Sequence, residues 1–404
     1  MGIGIMAKET KSLQEKLTQW ALVHLDSIFA ILRVVKPTVV FKGNAVVTRF
    51  EDVVEVLNRD WVFRVPYAEK MHKVTDGSNF FLGMENTDQY TRDVSNMRIA
   101  ARREDITDII KPFVDQASAA IVQSAGGRMD VVLQLTRVIP TRLIGEYFGT
   151  PGWNENEFAD AATIMFQYLF YPDDPAVEEK ALRAAEQTRN YLDQAIAARK
   201  VTPVDKDDVL NRCLKLQEAG MPGMTDVDIR NNLIGLIIGA IPTTSKCAAV
   251  TLNHLFNNPE LMVVAQQAAR ADEDDKLIQF VQESLRLNPF AAGIQRICAE
   301  DYVIAKGTLR STKIPKGARV LAATQSAMMD GRKIKKPREF QLDRPAYNYM
   351  HFGFGLHTCF GQYINLTQIP GIVKAVLKQP NLRRVADMKV EEPFPVSLEI
   401  EYDH

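Results

Sequence analysis

A mostly α chain carrying small β-sheets, of the α+β class, is what this sequence predicts, and three observations predict it. Helical patterning dominates from about residue 87 to 260. Short β-rich pieces stand before that stretch, at 37–58, and after it, beyond Pro289. Turns at Gly126-Gly127, Pro151-Gly152, Pro172-Asp173-Asp174 and Pro222-Gly223 punctuate the helical stretch, but no repeat, low-complexity tract or linker divides it. The expectation is a single domain over residues 1–404.

Each element has its own signal. The apolar stretch 20–35 carries His24, Asp26 and Arg33 and reads as an amphipathic helix. In 37–58, Thr38-Val39-Val40-Phe41 and Ala45-Val46-Val47-Thr48 flank a turn at Lys42-Gly43-Asn44, so this region is expected to be β-rich. The strongest helix is expected at 225–257, where Thr225-Asp226-Val227-Asp228 offers a capping box and Asn258-Pro259 follows the end. At ~1.5 Å per residue such a helix crosses a whole domain. Its middle, 233–241, is apolar all round and expected to be buried, and is too short to span a bilayer. Pro242 then removes one backbone bond, typically at ~3 kcal/mol. The helix either kinks there, widening a groove a ligand could use, or stops and restarts. A second helix at 276–287 holds Glu283 and Arg286 at i, i+3, on one face; read alone, this is a surface pair. Beyond Pro289 a strand with Arg296 inside it is expected, and Ile314-Pro315-Lys316-Gly317 marks a tight turn between strands.

The segment Phe352-Gly353-Phe354-Gly355-Leu356-His357-Thr358-Cys359-Phe360-Gly361 names a chemistry. Closely spaced glycines suit a tight loop whose backbone approaches a large flat ligand. A cysteine at the end of such a loop, just before a helix, can hold its sulfur as thiolate, because exposed helix N–H groups favour negative charge. A thiolate on haem iron pushes electron density onto it and favours O–O cleavage. The loop therefore points to an oxidative enzyme. Zinc held by His351, His357 and Cys359 is the competing reading. It leaves the glycines and the Glu283/Arg286 pair unexplained.

Net charge is −1 from 49 basic and 50 acidic residues, a balance that asks for neither nucleic acid nor an anionic membrane. Cys213, Cys247, Cys298 and Cys359 lie far apart, which argues against a disulfide framework and fits a reducing, cytoplasmic setting. The N-terminus lacks a signal-peptide core, and Met6 stands where a myristoylation motif at Gly2 expects Ser or Thr. A soluble protein without a membrane span is expected.

Together and in this order, the motifs resemble the cytochrome P-450 family of haem-thiolate enzymes, and most of all its soluble bacterial-type members. The loop matches that family's haem signature at Phe352, Gly353, Gly355, His357, Cys359 and Gly361. Glu283-x-x-Arg286 lies upstream at the family's usual distance, where the resemblance implies a buried pair completed by an arginine near Pro337-Arg338-Glu339-Phe340. Arg344 is preferred to Arg338 for that place. Gly239-Ala240-Ile241-Pro242-Thr243-Thr244 falls where the family's oxygen-groove helix belongs. The resemblance implies a single-domain fold with haem b between this helix and the cysteine loop. It makes Cys359 the proximal iron ligand, seated by Phe352, Gly353 and Gly361, with His357 and Arg296 paired to the haem propionates. Arg92, on an early helix, is a further propionate contact. Thr243, with Thr244 and Pro242 beside it, lines the oxygen pocket. Ala240, Phe290, Ala291 and Ala292 border an apolar small-molecule substrate, and Phe80, Phe81, Phe166 and Phe170 are candidates for its walls.

The sequence also departs from the family pattern. An acid usually stands where this chain has Pro242, and proline neither donates nor accepts a side-chain proton, so proton delivery is expected to be slow or rerouted. Oxygen insertion fed by a ferredoxin and its reductase is the leading reading. An enzyme of the same fold driven by peroxide or an organic hydroperoxide is the alternative, although Ile241 replaces the carboxylate-gripping arginine of the fatty-acid peroxygenase branch. A non-catalytic haem protein that binds a gas is the third. The early helix offers Tyr90, Arg92 and Arg98 without the family's spacing. Asn365 and Gln368 stand where a small residue and a glutamate are usual, and Pro370 is expected to interrupt the helix after Cys359. The basic run Arg332-Lys333-Ile334-Lys335-Lys336-Pro337-Arg338 reads either as a dock for an acidic ferredoxin or as a solvated loop.

Overall fold

Caps and apolar spacing set the helices in the computed structural model, which describes residues 24–391 and 393–403. Gly2, Met6, His404 and the start of the 20–35 stretch lie outside them. Helix α1 (Leu25–Val35) leads into a hairpin of β1 (Thr38–Phe41) and β2 (Asn44–Val47), turned at Lys42 (φ 45°) and Gly43 (φ 74°). The rest of the expected β-rich region is helical instead, as α2 (Phe50–Asn58), because Val53, Val56 and Leu57 bury one helical face. Strand β3 (Phe63–Arg64) and helices α3 (Ala68–Thr75), α4 (Asp88–Ala100) and α5 (Lys111–Ser124) follow. After β4 (Arg128–Asp130) come α6 (Val138–Glu146), α7 (Glu155–Phe170), α8 (Pro175–Val201) and α9 (Val209–Glu218). Asn154, Asp174 and Asp208 cap the last three with side-chain oxygens.

The long helix is α10 (Asp226–Phe256), opened by the expected capping box of Thr225 and Asp228 and continuous through Pro242. It is long and apolar enough to cross a membrane by composition, but 67% of its most apolar window is buried inside the fold, as befits a core helix. Helices α11 (Pro259–Arg270) and α12 (Asp274–Leu287) pack beside it. Then come β5 (Ile294–Cys298), β6 (Tyr302–Ile304), β7 (Thr312–Ile314), β8 (Arg319–Ala322) and the short α13 (Thr324–Ala327). Helix α14 (Gln362–Leu377) follows the cysteine loop and, against expectation, runs on through Pro370. Strands β9 (Arg383–Arg384), β10 (Lys389–Glu391), β11 (Phe394–Ser397) and β12 (Glu399–Glu401) close the chain.

The largest sheet has the order β1-β2-β8-β5-β3, with β2 and β8 parallel and the other pairs antiparallel. Its register sets Arg296 of β5 opposite Val320 of β8. One apolar core gathers around α10, and a smaller one lies under this sheet, built from Val47, Val53, Phe63, Val320 and their neighbours. Helix α10 touches α7, α8, α12 and α14. The loop 352–361 enters α14 directly, so α10 and the loop are held across from one another.

Candidate cofactor and substrate site

Most of α10 is buried, yet Gly239 is exposed and Ala240, Thr243, Lys246 and Cys247 are half-buried. These positions recur at helical spacing and share one face. A Cβ built on Gly239 meets no atom within 4 Å. This face looks onto open space within the fold. Across from it, Gly353 (φ 77°) and Gly355 (φ 74°) take left-handed backbone. A Cβ on Gly355 would stand 2.6 Å from the Leu57 carbonyl oxygen, so shape demands glycine there. The Cys359 N–H donates to the Phe352 carbonyl at 2.7 Å and closes the loop. From α4, the Tyr90 hydroxyl donates to the Leu356 carbonyl at 2.6 Å.

Cys359 is accessible and yet enclosed: burial pushes its thiol up, and a hydrogen bond from the Gly361 backbone only partly offsets this. Accessible and enclosed together describe an internal cleft. Burial also pushes the Cys247 thiol up to about 12, with Lys246 opposing the rise and Cys359 adding to it. The α10 face and the loop therefore bound the same cleft. The thiolate expected from the helix N-terminus needs correction, because burial outweighs the one N–H and the thiol on its own stays protonated at neutral pH. A coordinated metal, which deprotonates a ligating thiol outright, supplies what the helix does not.

Arg296 is only 4% exposed, and among the described residues no carboxylate lies within 4.0 Å of it. Its guanidinium donates to the Tyr67 hydroxyl (3.3 Å) and the Gln295 carbonyl (2.9 Å). A buried cation held this way is costly unless an anion joins it. His357 sits 2.8 Å from the Met84 carbonyl through Nε2. Burial, helped by Arg296, lowers it to about 4, so it is neutral rather than the standing cation expected, and only an arriving carboxylate would charge it.

Arg92 is not in the cleft. It binds Asp93 at 2.8 Å and its side chain lies against Gly223. Tyr90, Val94 and Arg98, at i, i+4 and i+8, form the face of α4 that lines the cleft with Phe81, His357, Thr358 and Cys359. Two residues from Tyr90, Arg92 points away. An accessible enclosed thiol, a glycine-shaped loop and a buried arginine without a carboxylate are together what haem b requires of its seat.

On α10 the two threonines part. The Thr243 hydroxyl donates to the Gly239 carbonyl at 2.5 Å on the cleft face. Thr244 is fully buried and donates to Asn365 Oδ1 of α14 at 2.9 Å, so it does not join the oxygen pocket. Gln368, one turn on from Asn365, is buried with its Nε2 unpartnered. Pro242 is buried too and has no N–H for the Ile238 carbonyl. Phe80 lies flat on Gly235 of α10. Phe81 meets Phe360 with ring centroids 5.4 Å apart and walls the Cys359 cleft rather than a separate substrate space. Ala291 is exposed, and Phe290 and Ala292 are half-buried. Phe290 stands edge-on to Phe166 at 5.7 Å, and Phe166 meets Phe170 at 4.5 Å.

Glu283 and Arg286 are both fully buried and paired at 2.7 Å, and Arg344 completes them at 3.2 Å, which overturns the surface-pair reading. Burial pushes the Glu283 carboxyl up, but Arg286, the Gln341 N–H and Arg344 hold it below the usual range. Arg286 also donates to the Met328, Pro337 and Glu339 carbonyls, which fastens α12 to the segment before the loop. The zinc reading fails on geometry. The His351 ring turns to the Gln282 carbonyl (3.0 Å), His357 turns to Met84, and no group of three metal-ligating side chains exists among the described residues. In the basic run, Arg332, Lys333 and Lys336 are paired with Asp330, Glu51 and Glu339. Sequence reasoning passed over Tyr67, whose hydroxyl accepts a hydrogen bond from the buried Arg296 at 3.3 Å.

The Cytochrome P450 family model matches residues 33–394. Mycinamicin IV hydroxylase/epoxidase of Micromonospora griseorubida is 24% identical over 83% of this chain and 82% of its own length. Nocardicin C N-oxygenase of Nocardia uniformis subsp. tsuyamanensis is 25% identical over 82% of this chain and 83% of its own. Among solved structures, P450BioI in complex with an acyl carrier protein carrying hexadec-9Z-enoic acid superposes with a TM-score of 0.81 at 19% identity, covering 95% of this chain and 100% of that one. CYP109E1 from Bacillus megaterium, in complex with testosterone, does so with a TM-score of 0.77 at 19% identity, over 94% and 99%.

Proposed function

Because this chain belongs to the cytochrome P450 family, we propose that Cys359 is the sulfur that ties haem b into the cleft between α10 and the loop 352–361. The chain is an oxidoreductase of the monooxygenase type; its relatives are named hydroxylase, epoxidase and N-oxygenase, and all three names describe oxygen insertion into small molecules. Bound through the thiolate, haem b supplies the electron-rich iron at which an O–O bond is split.

The chain's own residues bind, orient and handle protons. Arg296, buried without a carboxylate, is the partner for one propionate, and His357 becomes charged when a carboxylate stands beside it. Arg98 replaces Arg92 as the basic residue of α4 at the cleft. The Thr243 hydroxyl spends its proton on the Gly239 carbonyl. Its lone pairs are left to accept a hydrogen bond from water in the cleft. Pro242 beside it has no side-chain proton to relay, so ordered water is the route. Ala240, Phe290, Ala291 and Ala292 give the substrate an apolar boundary. The whole chain acts as one catalytic domain.

A ferredoxin and its reductase are the electron source this reading calls for. Its dock is the surface around Arg103 on the Cys359 side, rather than the 332–338 run, where Arg332, Lys333 and Lys336 are paired off. Arg103 stacks 4.0 Å over Tyr363, at the start of α14. The four cysteines are all free, which supports a cytoplasmic setting.

The observation that carries the reading is the pairing of an accessible, enclosed Cys359 with a buried Arg296 that lacks a carboxylate. Turnover of an apolar panel with ferredoxin, reductase and NAD(P)H, set against peroxide alone, tests it. Product in the first system, lost in Cys359→Ala, is expected. Product with peroxide only would replace the electron-fed reading with the peroxide-driven one.

A further inference from the structure

We propose that Asn365 is a positioning residue for the iron's sulfur: in the haem-loaded enzyme its side-chain N–H donates to the Cys359 thiolate and makes the iron easier to reduce. This rests on the haem-thiolate reading. Asn365 lies on α14, one turn past Gly361, whose carbonyl accepts its backbone N–H at 2.9 Å. The buried Thr244 hydroxyl of α10 donates to Asn365 Oδ1 at 2.9 Å, which fixes the sense of the amide. Nδ2 is thereby turned away from the Thr244 hydroxyl, and among the described residues its two N–H groups meet no acceptor. A Cβ built on Gly361 would stand 3.9 Å from Asn365 Nδ2 and 3.9 Å from Cys359 Sγ, and apart from its chain neighbours no other atom of the described residues comes within 4 Å. The amide nitrogen and the sulfur therefore border one small gap, beside a residue with no side chain.

A half-buried amide whose oxygen is committed and whose N–H groups are unspent favours an acceptor beside it. A protonated thiol is a weak acceptor and asks little of Nδ2. A thiolate is an anion, and a charge-assisted hydrogen bond to it is roughly twice as strong as a neutral one. The Gly361 N–H already reaches the sulfur, and Asn365 adds a second donor from a side chain. Each donor draws electron density off the sulfur, so less of it reaches the iron and the reduced state is favoured. A small side chain at position 365, such as alanine, supplies no such donor. The loop alone would therefore set a lower potential than the loop with Asn365.

The test is a spectroelectrochemical titration of the haem-loaded enzyme, read beside the Fe–S stretch in its resonance Raman spectrum. Asn365→Ala should lower the equilibrium constant for reduction about tenfold, about 59 mV for one electron. It should also raise the Fe–S frequency, because the sulfur regains its charge. Asn365→Leu fills the volume of the amide without an N–H and should shift both readings the same way, so it serves if the smaller side chain fails to hold haem. Thr244→Val cuts the same tie between α10 and α14 but keeps Nδ2, and it should move both readings much less. An unchanged potential in the Asn365 variants, or an equal shift in Thr244→Val, would overturn the proposal. The carbonyl spectrum separates it from the reading beneath it. A wild type without the red-shifted thiolate band would sink the haem-thiolate assignment, whereas a wild type with that band and variants with an unmoved potential would sink the role of Asn365 alone.

Discussion

Arg296 is a buried guanidinium whose protein partners are a phenol and a carbonyl, and that arrangement has a measurable consequence. Replacing it with methionine removes a desolvated charge that the haem-free protein does not neutralise, so the stability of the apoprotein should hold or rise. Haem retention should fall, because a propionate would lose its partner. Thermal melts of the apoprotein together with haem transfer to apomyoglobin check both halves. His351 carries a second prediction. Burial lowers it to about 4, against an unfolded value of about 6.5. Between those values the unfolded chain takes up a proton that the native chain refuses, so stability falls as pH drops through this window, by up to about 1.4 kcal/mol per pH unit. Urea midpoints at pH 7 and 5 should differ less in His351→Gln than in wild type; an equal difference would remove His351 from the account. Cys359, His357 and Glu283 were legible because their motif fixes their spacing. Arg92 and Thr244 were misplaced because each lies one or two residues from the cleft-facing position, and in a helix that turns a side chain away.

At the scale of elements, Pro242 and Asn365 define what is particular to this groove. Helix α10 runs on through Pro242, so the defect is tolerated rather than used as a stop. Pro242→Ala restores an N–H for the Ile238 carbonyl and should stabilise the protein by up to about 3 kcal/mol. A lower melting temperature would mean that the surrounding packing depends on the ring. Asn365 ties α14 to α10 through Thr244, and Asn365→Ala leaves that buried hydroxyl unpaired, at a cost of about 1–3 kcal/mol by denaturant unfolding. The capping box and the strands at Thr38–Phe41 and Asn44–Val47 could be read from the sequence because their signals are local. The helix at Phe50–Asn58 could not, because the valines that suggested a strand are buried at helical spacing once the sheet is present. Pro370 misled for a related reason: α14 is buried from Gln368 to Leu377, and that packing outweighs one lost backbone bond.

Across the whole molecule, charge on the Cys359 side should govern electron delivery. Arg103→Glu should slow ferredoxin-supported turnover, most of all at low ionic strength, and leave peroxide-supported turnover alone. Equal loss in both assays would place the defect in the cleft instead of at a dock. The architecture could be anticipated because a few long-range pieces, the long helix, the Glu283/Arg286/Arg344 cluster and the loop 352–361, constrain one another. The cluster of Phe166, Phe170, Phe290 and Phe394 could not, since its rings come from three separate parts of the chain and meet only on folding. The account stands on Cys359 as the sulfur that holds haem. The carbonyl spectrum of the reduced protein tests this most directly: wild type should show the red-shifted Soret band of a thiolate-ligated haem, and Cys359→Ala should lose it. A wild-type spectrum without that band, or a Cys359→Ala protein that keeps it, would contradict the account.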